Sequence, residues 1–390
     1  MKLGVDVFDL SSLRGKRVAV LSHQAGLTSD LRRTVDVIPC DLIFGPEHGF
    51  WGVAQDMEGA SSEGDPQAPI ESLYTSPKDE SPQELCRAKK RLWPDEPRMR
   101  EIDVVVVDLQ DVGARYYTFA NTMAYCMEVA KGTGTKVIVL DRPNPINGVD
   151  VEGNIMESFF SFVGQFKLPP RHGMTIGELA RFFEMADPRF RCDLEVVPME
   201  GWRREMWWDD TGITWVAPSP NMPTLTTAIV YPGMCLVEAT EISEGRGTTT
   251  PFELFGAPGF DPFALAERLN DLKLPGVIFR PQYFKPMFQK AAAKRCGGVQ
   301  MHVTDRTAFE PYRTGLWCIK VLAEHPGFEW RKAPYEYETV GAINQLTGTA
   351  RFKEIVENGS DADLEEWIES WQEPDAEFMR MRKAALLYKE

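Results

Sequence analysis

Short, continuous apolar segments alternate with polar clusters along the first half of the chain. Residues 18–21, 42–44, 104–107 and 137–140 are apolar runs rich in β-branched side chains, and polar residues follow each of them closely. Such runs are typical of parallel strands that are covered on both faces. Segments with apolar residues at helical spacing lie between them, as at residues 117–131. The alternation predicts an α/β fold with a Rossmann-like, doubly wound parallel sheet.

The pattern changes after a further strand that we predict at residues 194–197. Four tryptophans crowd residues 202–215, and the three prolines of residues 217–223 exclude a helix or a central strand there. We therefore predict a Rossmann-like domain over residues 1–225 and a smaller mixed α/β domain over residues 226–390. In the smaller domain we predict strands at residues 228–231, 277–279 and 299–303 and helices at residues 261–272, 362–371 and 376–388.

The polar clusters should converge in space, because ligands of open α/β sheets bind outside the carboxyl ends of the strands. Glu47 and His48 follow the second strand, and Gly49 then permits a sharp turn. A carboxylic acid near aromatic side chains such as Phe50 and Trp51 has its charged form disfavoured, which suits a general acid. A salt-bridged or helix-capping glutamate is the alternative interpretation.

Asp108 and Asp111 form a second acidic cluster, after the third strand, and flank Gln110. Acids this close together also suit magnesium or calcium, although no calcium-loop spacing is present. Alternatively, Asp108 is buried against Arg115 and shapes the loop. After the fourth strand, Arg142 could clamp a ligand carboxylate with two hydrogen bonds, or pair with its own neighbour to fasten the loop.

Two further segments carry candidate binding residues. His172 precedes a helix whose start a capping box at Thr175 and Glu178 predicts. The histidine could satisfy backbone groups there, or the helix N-terminus could orient it toward an anion. The loop at residues 241–249 has glycines on both sides of Arg246 and offers many hydrogen-bond donors. A solvated turn is the alternative for this loop.

Composition excludes several classes of partner. The formal charge of −15 and the pI near 5.0 argue against binding to nucleic acid or to an anionic membrane.

Motifs for cofactors, zinc and secretion are also missing from the sequence. The turn after the first strand lacks the G-x-G-x-x-G spacing that a dinucleotide requires, so we expect neither a nicotinamide nor a flavin cofactor. Seven scattered cysteines without a C-x-x-C pair predict no zinc site. The first residues resemble no secretory signal, so we expect a cytoplasmic protein, or a secreted one if a leader was removed.

Six motifs follow one another along the chain. They are F-G-P-E-H-G-F at residues 44–50, D-L-Q-D-V-G-A-R-Y-Y-T at 108–118, L-D-R-P-N-P at 140–145, R-H-G-M-T at 171–175, P-S-P-N-M-P at 218–223 and S-E-G-R-G-T at 243–248. In this order they resemble the bacterial exo-β-N-acetylmuramidase family, formerly a domain of unknown function. The resemblance extends from about Gly4 to Val303 and more loosely to the end.

The resemblance implies a glycosidase of cell-wall recycling. It implies a Rossmann-like catalytic domain, a smaller domain that closes the active-site cleft, and release of N-acetylmuramic acid from the non-reducing ends of peptidoglycan fragments. The catalytic acid favoured for the family corresponds to Glu47, and His48, Asp108 and Asp111 complete our catalytic candidates. The substrate-binding candidates are His23, Gln110, Arg115, Tyr116, Tyr117, Arg142, Asn144, His172, Asn221, Glu241, Ser243, Glu244, Arg246 and Thr248.

The expected partner is a muramyl-containing carbohydrate, with no metal and no cofactor. Its lactyl carboxylate calls for a cation, for which we name Arg246 first and Arg115 or Arg142 next. One departure from the family is Glu241, where asparagine is usual, and this extra carboxylate could repel an anionic sugar. Asp108 or Asp111 would assist Glu47, by a retaining, an inverting or a substrate-assisted route. The rival interpretations are an amino-sugar-binding protein and a magnesium-dependent hydrolase that uses Glu47, Asp108 and Asp111.

Overall fold

The chain forms two structural units that are not continuous in sequence. The computed structural model describes residues 1–60, 64–75, 84 and 89–389. The first unit comprises Met1–Asp150, His172–Pro220 and Ala376–Glu390, and the second comprises Val151–Arg171 and Asn221–Asp375. The predicted domains, by contrast, are continuous segments. The sequence S-P-Q-E at residues 81–84 is a capping box that predicts a further helix, but residues 81–83 and 85–88 lie outside the described residues.

A parallel sheet is the centre of the first unit. In the described residues it has six strands: β1 (Val18–Ser22), β2 (Leu42–Gly45), β3 (Ile70–Ser72), β4 (Val104–Asp108), β5 (Lys136–Leu140) and β6 (Asp193–Val197). The strand order is β3-β2-β1-β4-β5-β6, and every neighbouring pair is parallel. The predicted α/β class is confirmed, and the strands predicted in this half of the chain are present. All residues of β1, β2 and β4 are buried, as expected for strands covered on both faces.

The direction in which the chain adds strands to the sheet reverses between β1 and β4. From β1 the chain passes outward to β2 and β3, and it then returns to β4 on the other side of β1 and continues to β5 and β6. At this switch point Ser22 of β1 pairs with Asp108 of β4. The connections after β1 and β4 separate here, which leaves the crevice in which doubly wound proteins bind their ligands.

Helices surround this sheet. The described helices of the first unit are α1 (Gly4–Val7), α2 (Thr34–Val37), α3 (Glu96–Met99), α4 (Phe119–Thr133), α5 (Ile176–Ala186) and α12 (Ala376–Ala385). Helix α4 ends at Gly134, whose φ of 76° forms the left-handed cap that glycine favours. The predicted capping box is present at α5, where Thr175 and Glu178 each bond the other's backbone amide.

The second unit contains a smaller antiparallel sheet. Its described strands are β7 (Leu254–Ala257), β8 (Val277–Phe284) and β9 (Cys296–Val303), in the order β7-β9-β8. Its described helices are α6 (Leu225–Met234), α7 (Pro262–Asp271), α8 (Pro311–Leu322), α9 (Ala342–Thr347), α10 (Arg351–Asn358) and α11 (Asp361–Glu369). Across the described part of both units, no helix combines the length and the apolar character that crossing a bilayer requires.

The strand predicted at residues 228–231 is wrong, because this segment lies inside helix α6. Its β-branched residues suggest a strand, but the side chain of Thr224 caps a helix by accepting a hydrogen bond from the Thr227 amide. Close packing against α8 then buries the helix. Tertiary packing therefore overrides the local preference of the segment.

Two glycines make the contact between α6 and α8 possible. A Cβ atom on Gly315 would lie 2.3 Å from the Gly233 carbonyl oxygen, and one on Gly233 would lie 1.8 Å from the Pro311 carbonyl oxygen. Neither position has room for a methyl group. The two backbones therefore approach more closely than any other residue type would allow.

We expect Gly315→Ala to destabilise the protein by about 1–3 kcal/mol, because the added methyl group overpacks the contact between α6 and α8. Gly132→Ala is the matched control: no neighbouring atom lies within 4 Å of the added Cβ, and the residue is inside α4. It should stabilise by about 0.5–1 kcal/mol, since glycine is unfavourable in a helix. Thermal and urea denaturation measure the free energy of unfolding of both variants. Equal changes in the two variants would contradict the close contact between α6 and α8.

Candidate active site

Side chains from β2 and β4 bring four titratable groups to the carboxyl edge of the large sheet. Glu47 and His48 follow β2, Asp108 is the last residue of β4, and Asp111 lies three residues later. All four side chains are buried. The convergence expected from the strand pattern therefore places them in one region of the first unit.

Asp108 is engaged by a buried cation. Arg142 Nε lies 2.5 Å from its Oδ1, and Arg142 Nη2 lies 2.8 Å from its Oδ2. The Thr34 hydroxyl also donates to Oδ2, and Arg142 Nη2 donates to the Leu27 carbonyl oxygen at 2.5 Å. These contacts support a structural role for the pair, which the sequence offered as the alternative to the catalytic role of Asp108 and the ligand-clamping role of Arg142. The partner of Asp108 is thus Arg142, whereas the alternative drawn from the sequence named Arg115.

Glu47 lies beside the start of helix α4. The hydroxyl of Thr118, the residue that precedes this helix, donates to Glu47 Oε2. His48 has a φ of 68° and holds its ring by a 2.9 Å contact between Nδ1 and the Ala54 carbonyl oxygen. Because a carbonyl only accepts, the proton of the neutral ring is on Nδ1, and Nε2 is the ring's acceptor.

Asp111 is oriented by its own turn and lies close to His172. Its Oδ2 accepts the Gly113 amide at 2.6 Å, and His172 Nε2 lies 3.4 Å from the same oxygen. His172 Nδ1 accepts the Met174 amide at 3.2 Å, so the proton of the neutral ring is on Nε2 and faces Asp111. Oδ1 of Asp111 is buried and has no hydrogen-bond partner among the described residues.

The Tyr117 hydroxyl is buried within the electrostatic influence of both acidic groups. Burial raises the pKa of Tyr117 well above its usual value; the Ser219 hydroxyl opposes this by a hydrogen bond, and the negative charges of Asp111 and Glu47 raise it further. The ring is fixed edge-on against Phe119, with centroids 4.8 Å apart. Tyr117 therefore stays protonated at neutral pH and acts as a hydrogen-bond donor near both carboxyl groups.

Three predicted binding residues make hydrogen bonds that hold the loops of the site. His23 contacts the Pro218 carbonyl oxygen through Nδ1 at 3.1 Å and accepts the Gln110 amide at Nε2, and burial together with the charge of Arg142 lowers its pKa to about 3. The Gln110 side chain donates to the carbonyl oxygens of Asp111 and Pro143. Asn144 bridges the Ile146 amide and the Met174 carbonyl oxygen.

In the second unit, Arg246 lies between two buried carboxylates. Its Nη1 lies 2.8 Å from Glu244 and its Nη2 2.7 Å from Glu238, while the guanidinium carbon is 4.8 Å from the centre of the Phe252 ring. Burial opposes ionisation of Glu244, but Lys290 and Arg246 together lower its pKa to about 2. The guanidinium thus balances internal charge, a role that the sequence analysis did not assign to it.

The remaining predicted binding residues have varied surroundings. Glu241 is exposed, whereas Ser243 and Thr248 hydrogen-bond to Gly245 within their own loop. The Arg115 guanidinium carbon lies 5.9 Å from the centre of the adjacent Tyr116 ring, and both side chains are buried, as is Asn221 in the second unit.

Two family models together match almost the whole chain. The model described as exo-β-N-acetylmuramidase NamZ, N-terminal, matches residues 18–226, and the corresponding C-terminal model matches residues 229–388. The chain belongs to the NamZ family. The resemblance stated from the six motifs is thereby confirmed.

Relatives of known name and structure agree with this membership of the NamZ family. The chain is 41% identical over 386 residues to the peptidoglycan β-N-acetylmuramidase NamZ of Bacillus subtilis, covering 96% of this chain and 88% of that protein. A DUF1343 family protein from Bacteroides fragilis has a similar crystal structure, with a TM-score of 0.84 and 31% identity over 100% of this chain and 99% of that one. A second DUF1343 family protein from the same species has a crystal structure with a TM-score of 0.72 and 26% identity, again over 100% of this chain and 99% of that one.

Two hydroxyl groups at the NamZ site were not among the predicted site residues. Thr118 contacts Glu47, and Ser219 contacts Tyr117. Both residues are inside motifs that resemble the family, so the motifs carried the signal. Sequence reasoning passed over them because a lone hydroxyl more often caps a helix or a turn than supports a reacting group.

Asp108→Asn and Asp111→Asn should separate the two aspartates of this NamZ family member. Asp108→Asn leaves the buried Arg142 charge uncompensated and should cost about 3–5 kcal/mol of stability. Asp111→Asn keeps an oxygen for the Gly113 amide and should cost less than about 1.5 kcal/mol, while activity on a muramyl glycoside falls. Urea denaturation and an activity assay of both variants measure this. Equal losses of stability would contradict the assignment.

Proposed function

We infer that this chain is an exo-β-N-acetylmuramidase, a glycosidase that releases N-acetylmuramic acid from the non-reducing ends of peptidoglycan fragments. Its family membership supports this, as does its 41% identity to a peptidoglycan β-N-acetylmuramidase. The observation that carries the proposal is the pair of buried carboxyl groups, Glu47 and Asp111, that follow neighbouring parts of the parallel sheet at its carboxyl edge. Most glycosidases act through two carboxyl groups on either side of the scissile bond.

Glu47 is the proposed general acid. Thr118 donates to its Oε2 and so helps to orient the carboxyl group. The proton of the acid form would pass to the glycosidic oxygen as the bond to the anomeric carbon breaks. The neutral phenol of Tyr117 and the Nε2 acceptor of His48 provide hydrogen bonds near this transfer.

Asp111 is the proposed counterpart of Glu47. The Gly113 amide and the Nε2 proton of His172 both face its Oδ2, which leaves Oδ1 to act on the substrate. A carboxylate there would stabilise the positive charge of the oxocarbenium-like transition state, position a water, or orient the 2-acetamido group as an internal nucleophile. His172 is accordingly a positioning residue.

Both rival interpretations lose support. The proposed magnesium site needs Asp108, but Arg142 and Thr34 already occupy both oxygens of that carboxylate. A protein that only binds a sugar has no need for paired carboxyl groups with an oriented proton. Incubation with N-acetylmuramyl-N-acetylglucosamine and mass analysis of the products tests turnover directly, and saturable binding without products would favour a binding protein.

We propose Arg115 as the cation that reads the lactyl carboxylate of the muramyl group. Arg115 is buried, and it lies on the segment between Asp111 and Tyr117, two of the groups proposed to act on the substrate. Arg142 lies at the end of another strand, and Arg246 belongs to the second unit. A guanidinium in that position can meet a carboxylate with two parallel hydrogen bonds.

Glu47→Gln should lower turnover of N-acetylmuramyl-N-acetylglucosamine by about 10²–10⁴-fold, because general acid catalysis contributes that much. The loss on a 4-nitrophenyl muramide should be much smaller, since 4-nitrophenolate leaves without a proton. Glu101→Gln, which changes an exposed acid, is the control. Steady-state rates on both substrates test the role, and equal losses on the two would mean that Glu47 is not the acid.

Arg115→Gln should lower the preference for muramyl over glucosaminyl 4-nitrophenyl glycosides by roughly tenfold to a hundredfold, which corresponds to losing a charged hydrogen bond of about 1.5–3 kcal/mol. Arg115→Lys keeps the positive charge and should retain part of the preference. The ratio of kcat/KM values for the two substrates measures it. If both rates fall by the same factor, Arg115 supports the site without reading the lactyl group.

A further inference from the structure

A cavity of about 180 Å³ lies within the first unit and is lined by His48, the residue that follows the proposed general acid. The turn that follows β2 forms most of its wall, and Ile70 at the start of β3 completes it. The lining includes His48, Phe50, Trp51 and Glu58. Pockets for drug-sized ligands are roughly 300–1,000 Å³, so this smaller cavity suits a single sugar ring.

Trp51 is held rigidly at this cavity. The guanidinium carbon of Arg33 lies 5.5 Å from the centre of its ring, and the Phe50 ring meets it edge-on with centroids 5.0 Å apart. Arg33 is itself fixed by Asp36 and Asp65, each at 2.5 Å. Yet 37% of Trp51 remains exposed. An immobilised, partly exposed indole is a platform for the apolar C–H face of a pyranose ring.

The position of the cavity relative to the two acidic groups identifies which sugar it faces. The cavity is lined by His48, the residue directly after Glu47, and by the turn that continues from it, whereas Glu47 itself and the segment that carries Asp111 and Tyr117 do not line it. In a glycosidase the ring being cleaved lies between the acid and its counterpart, and the leaving group lies on the acid's side. A cavity that contacts the acid's segment alone is therefore on the leaving-group side.

The charge of the cavity lining also favours the leaving-group sugar. The described residues that line the cavity include the Glu58 carboxylate and no lysine or arginine. A carboxylate accepts hydrogen bonds from sugar hydroxyl and amide groups, but it repels the lactyl carboxylate of a muramyl residue. The cavity therefore suits the uncharged N-acetylglucosamine-type ring better than the anionic muramyl ring.

We propose that this cavity is the leaving-group subsite and that it binds an uncharged 2-acetamido hexose, with Trp51 as its stacking platform. The proposal rests on the muramidase activity inferred above and on Glu47 as its acid. The subsite would make the enzyme favour disaccharide and longer fragments over simple muramyl glycosides, because only those present a second ring to Trp51.

Two substrates with similarly basic leaving groups test the subsite: N-acetylmuramyl-N-acetylglucosamine, and methyl β-N-acetylmuramide, which has no second ring. For Trp51→Ala, we expect kcat/KM on the disaccharide to fall at least about tenfold more than on the methyl glycoside, equivalent to about 1.4 kcal/mol. Trp51→Phe should recover part of the difference. Leu10→Ala, which truncates an apolar side chain that is 40% exposed elsewhere in the unit, should leave the ratio unchanged.

Inhibition by free sugars provides the second readout. Free N-acetylglucosamine should inhibit hydrolysis of the methyl glycoside, and Trp51→Ala should raise its inhibition constant about tenfold. Equal losses of Trp51→Ala on both substrates, or no loss on either, would overturn the subsite. The underlying activity is judged separately, by whether the unmodified protein hydrolyses the two substrates at all.

Discussion

The buried ion pair between Asp108 and Arg142 is the interaction on which the site depends. It connects the ends of β4 and β5, and the Thr34 hydroxyl and the Leu27 carbonyl oxygen join it from the connection after β1, across the switch point between β1 and β4. Two charges in such a place are tolerated only when their hydrogen bonds are satisfied, and losing one partner leaves the other unpaired. The loop that carries Asp111 starts from this anchor.

The neighbouring polar residues divide into supports and reacting groups. In a supporting residue, the polar atoms of the side chain are already hydrogen-bonded within the protein. In His23, for example, one ring nitrogen contacts Pro218 and the other contacts Gln110. Arg204 is another support: it bonds Glu178 and the Gly173 carbonyl oxygen, and so fixes the loop that carries His172. A buried network that is fully satisfied is rigid, and rigidity holds the few remaining groups in the geometry that proton transfer requires.

Much of the first unit was predictable from local pattern. Unbroken apolar runs identified β1, β2, β4 and β5, because a strand covered on both faces has no position for a polar side chain. The capping box at Thr175 was equally readable, since all its contacts lie within four residues. The strand predicted at residues 228–231 was wrong, because the segment forms a helix that packs against α8. That contact is with residues about 80 positions away in the chain, and only glycine permits it.

Patterns within short segments were enough to predict the fold class, the ordered motifs and the candidate residues. How those candidates divide into structural and reacting groups depends on contacts between distant parts of the chain. Asp108 and Asp111 look equivalent in the sequence, yet Asp108 is paired with a guanidinium. Asp111 lies near a histidine and a tyrosine, and its own Oδ1 has no hydrogen-bond partner among the described residues. Burial and charge at each position come from residues distant in the chain, so no local pattern records them.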